Sequence, residues 1–157
     1  MKVAAIADFE IGELGRQHIA AVARLQHEVM PHPWNERQFA DSIEASHRGL
    51  LARTPGGEPI AVAVASRVHT EAELLTLATA RQYQRSGVGR ALLAALLQSL
   101  AEEGAKACFL EVMAGNAPAL ALFQAFGFAL VGRRKGYYVL ADGTVDALLM
   151  RASLPQK

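Results

Sequence analysis

A short polar segment, Gln84-Arg85-Ser86-Gly87-Val88-Gly89, separates an apolar run from the longest helical pattern in the chain. Behind it, Glu73–Thr79 (ELLTLAT) reads as a strand. Ahead of it, Val88, Ala91, Leu92, Ala95, Leu96 and Leu100 recur at helical spacing, and Gly104 marks the end. The segment is therefore a strand-to-helix turn. Its two glycines let a ligand approach the backbone closely. The unsatisfied N–H groups and the dipole of a helix N-terminus can form an anion site that suits a pyrophosphate, to which Arg85 and Arg90 could add charge; a plain capped helix start is the alternative reading. The segment is not a Walker loop, because no GK[ST] follows. It is not a dinucleotide fingerprint, because Leu92 stands where a third glycine belongs.

The rest of the chain alternates in type. Val3–Ile6 is expected to be a short strand, and Arg16–Val29 a helix with Ile19, Val22, Ala23 and Val29 on one face. Pro31 and Pro33 break it. Asn35 starts a second helix, with Gln38 completing a capping box and Phe39 and Ile43 as its apolar face. Leu50–Thr54 and Ile60–Val68, joined by Pro55-Gly56-Gly57-Glu58-Pro59, read as a hairpin. Ala107–Val112 is an apolar strand. Asn116 caps a helix that carries Pro118 in its first turn and closes at Gly127. Strands at Ala129–Arg134 and Asp146–Arg151 finish the chain, with Arg133-Arg134-Lys135 read as a solvated turn or, near an acceptor groove, as a basic patch for an acidic peptide or the ribosome. The expected fold is mixed α/β: one mostly antiparallel sheet of about seven strands with helices on both faces. At 157 residues, of which 52% are hydrophobic, the chain suits a single domain over residues 1–157.

A formal net charge of +1 argues against direct nucleic-acid binding. No stretch has the length and apolarity of a membrane helix, and the N-terminal apolar run is too short for a signal peptide, so a cytoplasmic location is expected. The single cysteine, Cys108, lies in an apolar run and reads as a small core residue. The five histidines, at 18, 27, 32, 47 and 69, have no ligand spacing, so no metal is expected.

The order strand, loop, long helix, apolar strand with a glutamate, Asn-capped helix resembles the core of the GNAT superfamily of N-acetyltransferases. Gln84–Gly89 fits that family's Q/R-x-x-G-x-G/A signature at every fixed position. Further pieces resemble its RimI-type ribosomal-protein-alanine branch. These are His32-Pro33-Trp34-Asn35 with Phe39, Leu110-Glu111-Val112 with Asn116, Ala121–Phe128, and Gly132-Arg133-Arg134 with Tyr137-Tyr138. The resemblance spans roughly residues 28–151.

The resemblance implies transfer of acetyl from acetyl-CoA, as co-substrate, to the N-terminal α-amine of a protein, possibly ribosomal, in a direct ternary complex. The backbone of Leu77, Ala78 and Thr79 would pair with the pantetheine arm. Gln84, Arg85, Ser86, Gly87, Val88, Gly89 and Arg90 would hold the pyrophosphate. Asn116 and Phe123 would meet the cofactor, and Glu111 would be the general base. Pro33, Trp34 and Tyr137 would flank the acceptor peptide. One departure stands out: where the family carries a tyrosine as general acid, this chain has Phe123. Tyr138 or Tyr137 can supply the proton, water can, or the transfer is slow. Successive strand residues face opposite ways, so only one of the two tyrosines is expected at the site. A small-amine acetyltransferase and an acetyl-CoA-binding module with little activity are the alternative readings. A monomer or weak dimer is expected.

Overall fold

The computed structural model describes residues 8–156. The strand expected at Val3–Ile6 lies outside them. The elements in chain order are β1 (Glu10–Glu13), α1 (Ile19–Val29), α2 (Glu36–Glu44), β2 (Arg48–Arg53), β3 (Pro59–Val68), β4 (Glu71–Thr79), α3 (Val88–Glu102), β5 (Ala107–Met113), α4 (Ala117–Ala125), β6 (Ala129–Leu140) and β7 (Gly143–Ser153). Short 3-10 turns at Arg16–His18 and Arg81–Tyr83 precede α1 and α3. The hydrogen-bonded strand order is β1-β2-β3-β4-β5-β7-β6, the seven-stranded, mostly antiparallel sheet expected. The one parallel ladder described pairs Glu71–Leu74 of β4 with Ala107–Leu110 of β5, and β4 itself runs on to Thr79. Two compact units divide at Ser66, Leu75 and Leu96.

In the first unit, Asn35 caps α2 as its sequence requires. Its Oδ1 accepts from the Gln38 amide, and the Gln38 Oε1 accepts from the Asn35 amide, both at 2.9 Å. Phe39 is fully buried behind this cap and meets the Trp34 ring edge-on at 5.1 Å. The β2–β3 turn closes through the Thr54 amide to the Glu58 carbonyl at 2.9 Å. Ile60–Ala65 of β3 are buried at every position, so both faces of this strand are covered.

The α3 stripe differs from expectation in detail. Val88, Leu92, Leu93, Leu96, Leu97 and Leu100 are the buried set, whereas Ala91 and Ala95 are half-exposed. Leucines outcompete alanines for the core because each removes more apolar area from water.

In the second unit, β5 and β7 pair antiparallel from Ala107↔Ser153 to Met113↔Ala147. Cys108, Leu110 and Val112 are buried on β5, with Ala147, Leu148, Met150 and Ala152 on β7. Asn116 caps α4, its Oδ1 accepting from the Ala119 amide at 3.3 Å. The final hairpin corrects the sequence reading. Arg133-Arg134-Lys135 are not a turn but lie within β6, which continues to Leu140 and turns tightly into β7. The polarity that suggested a turn belongs to a solvated strand at the end of the sheet order, broken by an irregularity between Arg134 and Tyr138 where Gly136 has φ 60°.

Among the described residues, no helix is long and apolar enough to cross a membrane, and no group of three or more His, Cys, Asp or Glu is placed to hold a metal ion.

Candidate active site

The first unit carries the glycine loop. Gln84 follows the 3-10 turn after β4 and donates its Nε2–H to the Thr79 carbonyl at 3.1 Å, which fastens the loop to the strand before it. The Ser86 hydroxyl donates to the Tyr83 carbonyl. Arg85 and Gly87 both take positive φ, 64° and 92°, and this reverses the chain into α3. The first bond within α3 runs from the Ala91 amide to the Gly87 carbonyl at 3.0 Å, so the amides of Val88 and Gly89 precede it. A Cβ at Gly89 would sit 3.0 Å from Thr79 Oγ1, so glycine sets how closely the helix start approaches the strand end. Helix N-terminus, reversed loop and the β4 backbone beyond the β5 ladder together fit a diphosphate with an extended amide-bearing arm.

The same unit places Pro33 and Trp34 beside α1. They line a groove of about 340 Å³ together with Ala20, Ala23, Arg24, His27, Asn35 and Glu36. Behind the groove, the Trp34 amide donates to Gln26 Oε1 at 2.8 Å, and Gln26 Nε2 donates to Thr76 Oγ1 at 2.7 Å. Arg81, in the turn after β4, donates to the Glu28 carbonyl in the last turn of α1 at 2.7 Å. Gln26, Thr76 and Arg81 carry no signal in the sequence, because their partners are distant along the chain.

The second unit brings Glu111 and Tyr138 together. Glu111 on β5 keeps 23% of its side chain exposed. The Tyr138 hydroxyl, on β6, donates to Glu111 Oε1 at 3.5 Å, and Arg134 Nε lies 3.7 Å from Glu111 Oε2. Burial first, and then the Glu111 charge, hold the Tyr138 phenol above its ordinary pKa, so it stays protonated. Tyr137 is half-exposed, stacks edge-on against Tyr138 at 5.3 Å and lies under the Arg134 guanidinium, also at 5.3 Å. Tyr138 is therefore the tyrosine brought to Glu111. The sequence missed Arg134 as a neighbour of Glu111 because the segment reads as a solvated turn. Phe123 is buried and meets Phe128 edge-on at 5.8 Å. Asp146 braces the hairpin: Oδ1 accepts from the Gly136 amide and Oδ2 from Arg133, both at 2.9 Å, which lowers the Asp146 pKa.

The chain is similar in sequence and fold to known proteins. The family model described as "Acetyltransferase (GNAT) family" matches residues 19–128. The chain is 34% identical over 140 residues to the [Ribosomal protein bS18]-alanine N-acetyltransferase of Escherichia coli, covering 89% of this chain and 94% of that protein. It is 33% identical over 147 residues to the N-alpha-acetyltransferase RimI of Mycobacterium tuberculosis, covering 90% of each. The crystal structure of the Escherichia coli ribosomal-protein alanine N-acetyltransferase superposes with a TM-score of 0.88 at 32% identity, over 95% of this chain and 96% of that one. On the match to the family model and the extent of these identities, the chain belongs to the GNAT family of acetyltransferases.

Proposed function

We propose that this protein transfers the acetyl group of acetyl-CoA to the N-terminal α-amine of a protein, with a ribosomal protein as acceptor. The relatives named for this activity support the acceptor class. The observation that carries the chemistry is the hydrogen-bonded pair Glu111–Tyr138, a carboxylate and a protonated phenol in contact.

The amine nitrogen attacks the thioester carbonyl carbon, and Glu111 accepts the proton that nitrogen sheds. The carbon–sulfur bond then breaks, and Tyr138 donates its hydroxyl proton to the departing sulfur. The phenolate recovers a proton from Glu111 across their shared hydrogen bond, so Tyr138 ends holding the amine's proton, the CoA thiol holds the one Tyr138 gave up, and both side chains return to their starting states. The α-amine suits this modest machinery. Its pKa of about 7.7–8.0 leaves roughly a fifth neutral near pH ~7.2, against fewer than about one in a thousand for a lysine at about 10.4. The amides at the start of α3 and the Gly87 turn receive the diphosphate, and the Leu77–Thr79 backbone receives the pantetheine arm. Pro33, Trp34 and Tyr137 flank the acceptor.

Release of free CoA from acetyl-CoA tests the reading, using peptides with a free N-terminus, the same peptides blocked at the α-amine but carrying lysine, and a panel of small amines. Turnover with the free N-termini alone is expected. Turnover confined to small amines would replace this function with metabolite acetylation.

A further inference from the structure

The segment Met30-Pro31-His32-Pro33-Trp34 joins α1 to α2 without regular structure, and its two prolines bring no N–H group to hold it in place. A single buried relay grips both ends. The Trp34 amide donates to Gln26 Oε1 at 2.8 Å, Gln26 Nε2 donates to Thr76 Oγ1 at 2.7 Å, and the Thr76 hydroxyl reaches Met30 Sδ at 4.0 Å. Gln26 has no exposed surface, and Thr76 is buried on β4 between Leu74 and Ala78. A fully buried amide is costly unless its polar atoms find partners, and an aliphatic residue beside Val22 and Leu25 would make a simpler core. All three links are made within one compact unit.

We infer that Gln26 is a positioning residue: its buried amide locks the Met30–Trp34 segment to β4, fixing the acceptor-facing wall at Pro33 and Trp34 relative to the strand that carries Leu77–Thr79. This rests on the proposed roles of Pro33-Trp34 and of β4. The relay makes the acceptor loop a dependent of the cofactor strand. Breaking it frees the loop and leaves the glycine turn, held by its own bonds at Gln84 and Ser86, in place.

Trp34 is the chain's single tryptophan, so its fluorescence reports this loop alone. Gln26→Leu removes both bonds. It is expected to shift Trp34 emission to the red, to raise acrylamide quenching about twofold, and to raise the KM for an N-terminal peptide about tenfold, the scale of one lost buried hydrogen bond. The KM for acetyl-CoA is expected to change by less than about twofold. Gln26→Glu keeps the shape but buries a carboxylate, so it is expected to restore the wild-type emission only as pH falls and the protonated acid accepts from the Trp34 amide and donates to Thr76 Oγ1. Thr76→Val keeps the shape and cuts one link, giving the same split at smaller size. It carries the test if Gln26→Leu does not fold. Unchanged Trp34 emission and quenching in these variants, or equal changes in both KM values, would overturn the inference. Wild-type protein that turns over no N-terminal peptide would refute the proposed function instead, and the fluorescence would still test the lock.

Discussion

The Tyr138 hydroxyl donates to Glu111 Oε1 at 3.5 Å, although 27 residues separate the two in the chain. They meet because β5 and β6 both pair with β7, Glu111 opposite Leu149 and Tyr138 opposite Val145. Phe123, at the position where the resemblance implies an acid, has no proton to give, and the proposed function gives that part to Tyr138. Tyr138→Phe is expected to lower kcat about a hundredfold, within the range for a lost general acid. Phe123→Tyr is expected to make Tyr138 dispensable: in that background Tyr138→Phe should cost less than about tenfold. An equal loss in both backgrounds would show that the two hydroxyls do not share one task. Because burial and the Glu111 charge raise the phenol's pKa, the ionised form is disfavoured in the fold. Tyr138 thus stays protonated across neutral pH, and its stabilising contribution fades only as pH climbs past about 10 and through the raised value. Alkaline unfolding of Tyr138→Phe should accordingly begin at higher pH than that of the wild type.

Glu111→Gln removes the proton acceptor and keeps the shape. Turnover with an N-terminal peptide is expected to fall by about a hundredfold near neutral pH. The loss should persist above pH ~8, because a neutral amine still sheds a proton as it becomes an amide. A peptide KM that rises while kcat stays unchanged would place Glu111 in acceptor binding and not in proton transfer.

Two glycines set the turn before α3 for different reasons. Gly87 has φ 92°, a region that costs an L-residue about 1–2 kcal/mol, so Gly87→Ala is expected to lower stability by about that amount in denaturant titration. Gly89 has an ordinary backbone but no room, with Thr79 Oγ1 at 3.0 Å from its missing Cβ. Gly89→Ala should raise the acetyl-CoA KM severalfold with the peptide KM nearly unchanged, and Thr79→Ala should relieve part of that defect by opening the space.

Cys108 has no exposed surface, and burial pushes its thiol up to about 11, with the Glu73 charge adding to that and the Leu74 backbone opposing it. The native thiol should not react with a disulfide reagent at pH ~8, while the unfolded chain should react within minutes. Its raised value adds a stability term that is present below the ordinary thiol range and lost as pH rises through about 11.

Local devices were the legible ones. The Asn35–Gln38 capping box, the Thr54–Glu58 turn, the Asn116 cap and the glycine loop are each written within six residues, and each forms where the residues place it. Features that depend on long-range pairing were not legible. Gln26 looks like a polar-face residue of an amphipathic helix until Thr76, 50 residues on, is brought to it. Arg133–Lys135 look like a turn because a solvated strand has the same composition, and only the β6–β7 register shows the chain to be extended there. The choice between Tyr137 and Tyr138 was open because alternation tells that they face opposite ways and not which faces Glu111. On α3, periodicity placed the helix correctly, but alanine and leucine count alike in a pattern and unequally in a core.

The proposed function sends the acetyl group to a protein's N-terminal nitrogen. A peptide with a free N-terminal alanine and one internal lysine, incubated with acetyl-CoA and this protein and then fragmented in a mass spectrometer, locates the added acetyl directly. The expected product carries one acetyl, on the first residue, and Glu111→Gln forms about a hundredth as much of it at pH ~7 in the same time. Acetyl on the lysine side chain, or no product with any free N-terminus while small amines are acetylated, would contradict the claim.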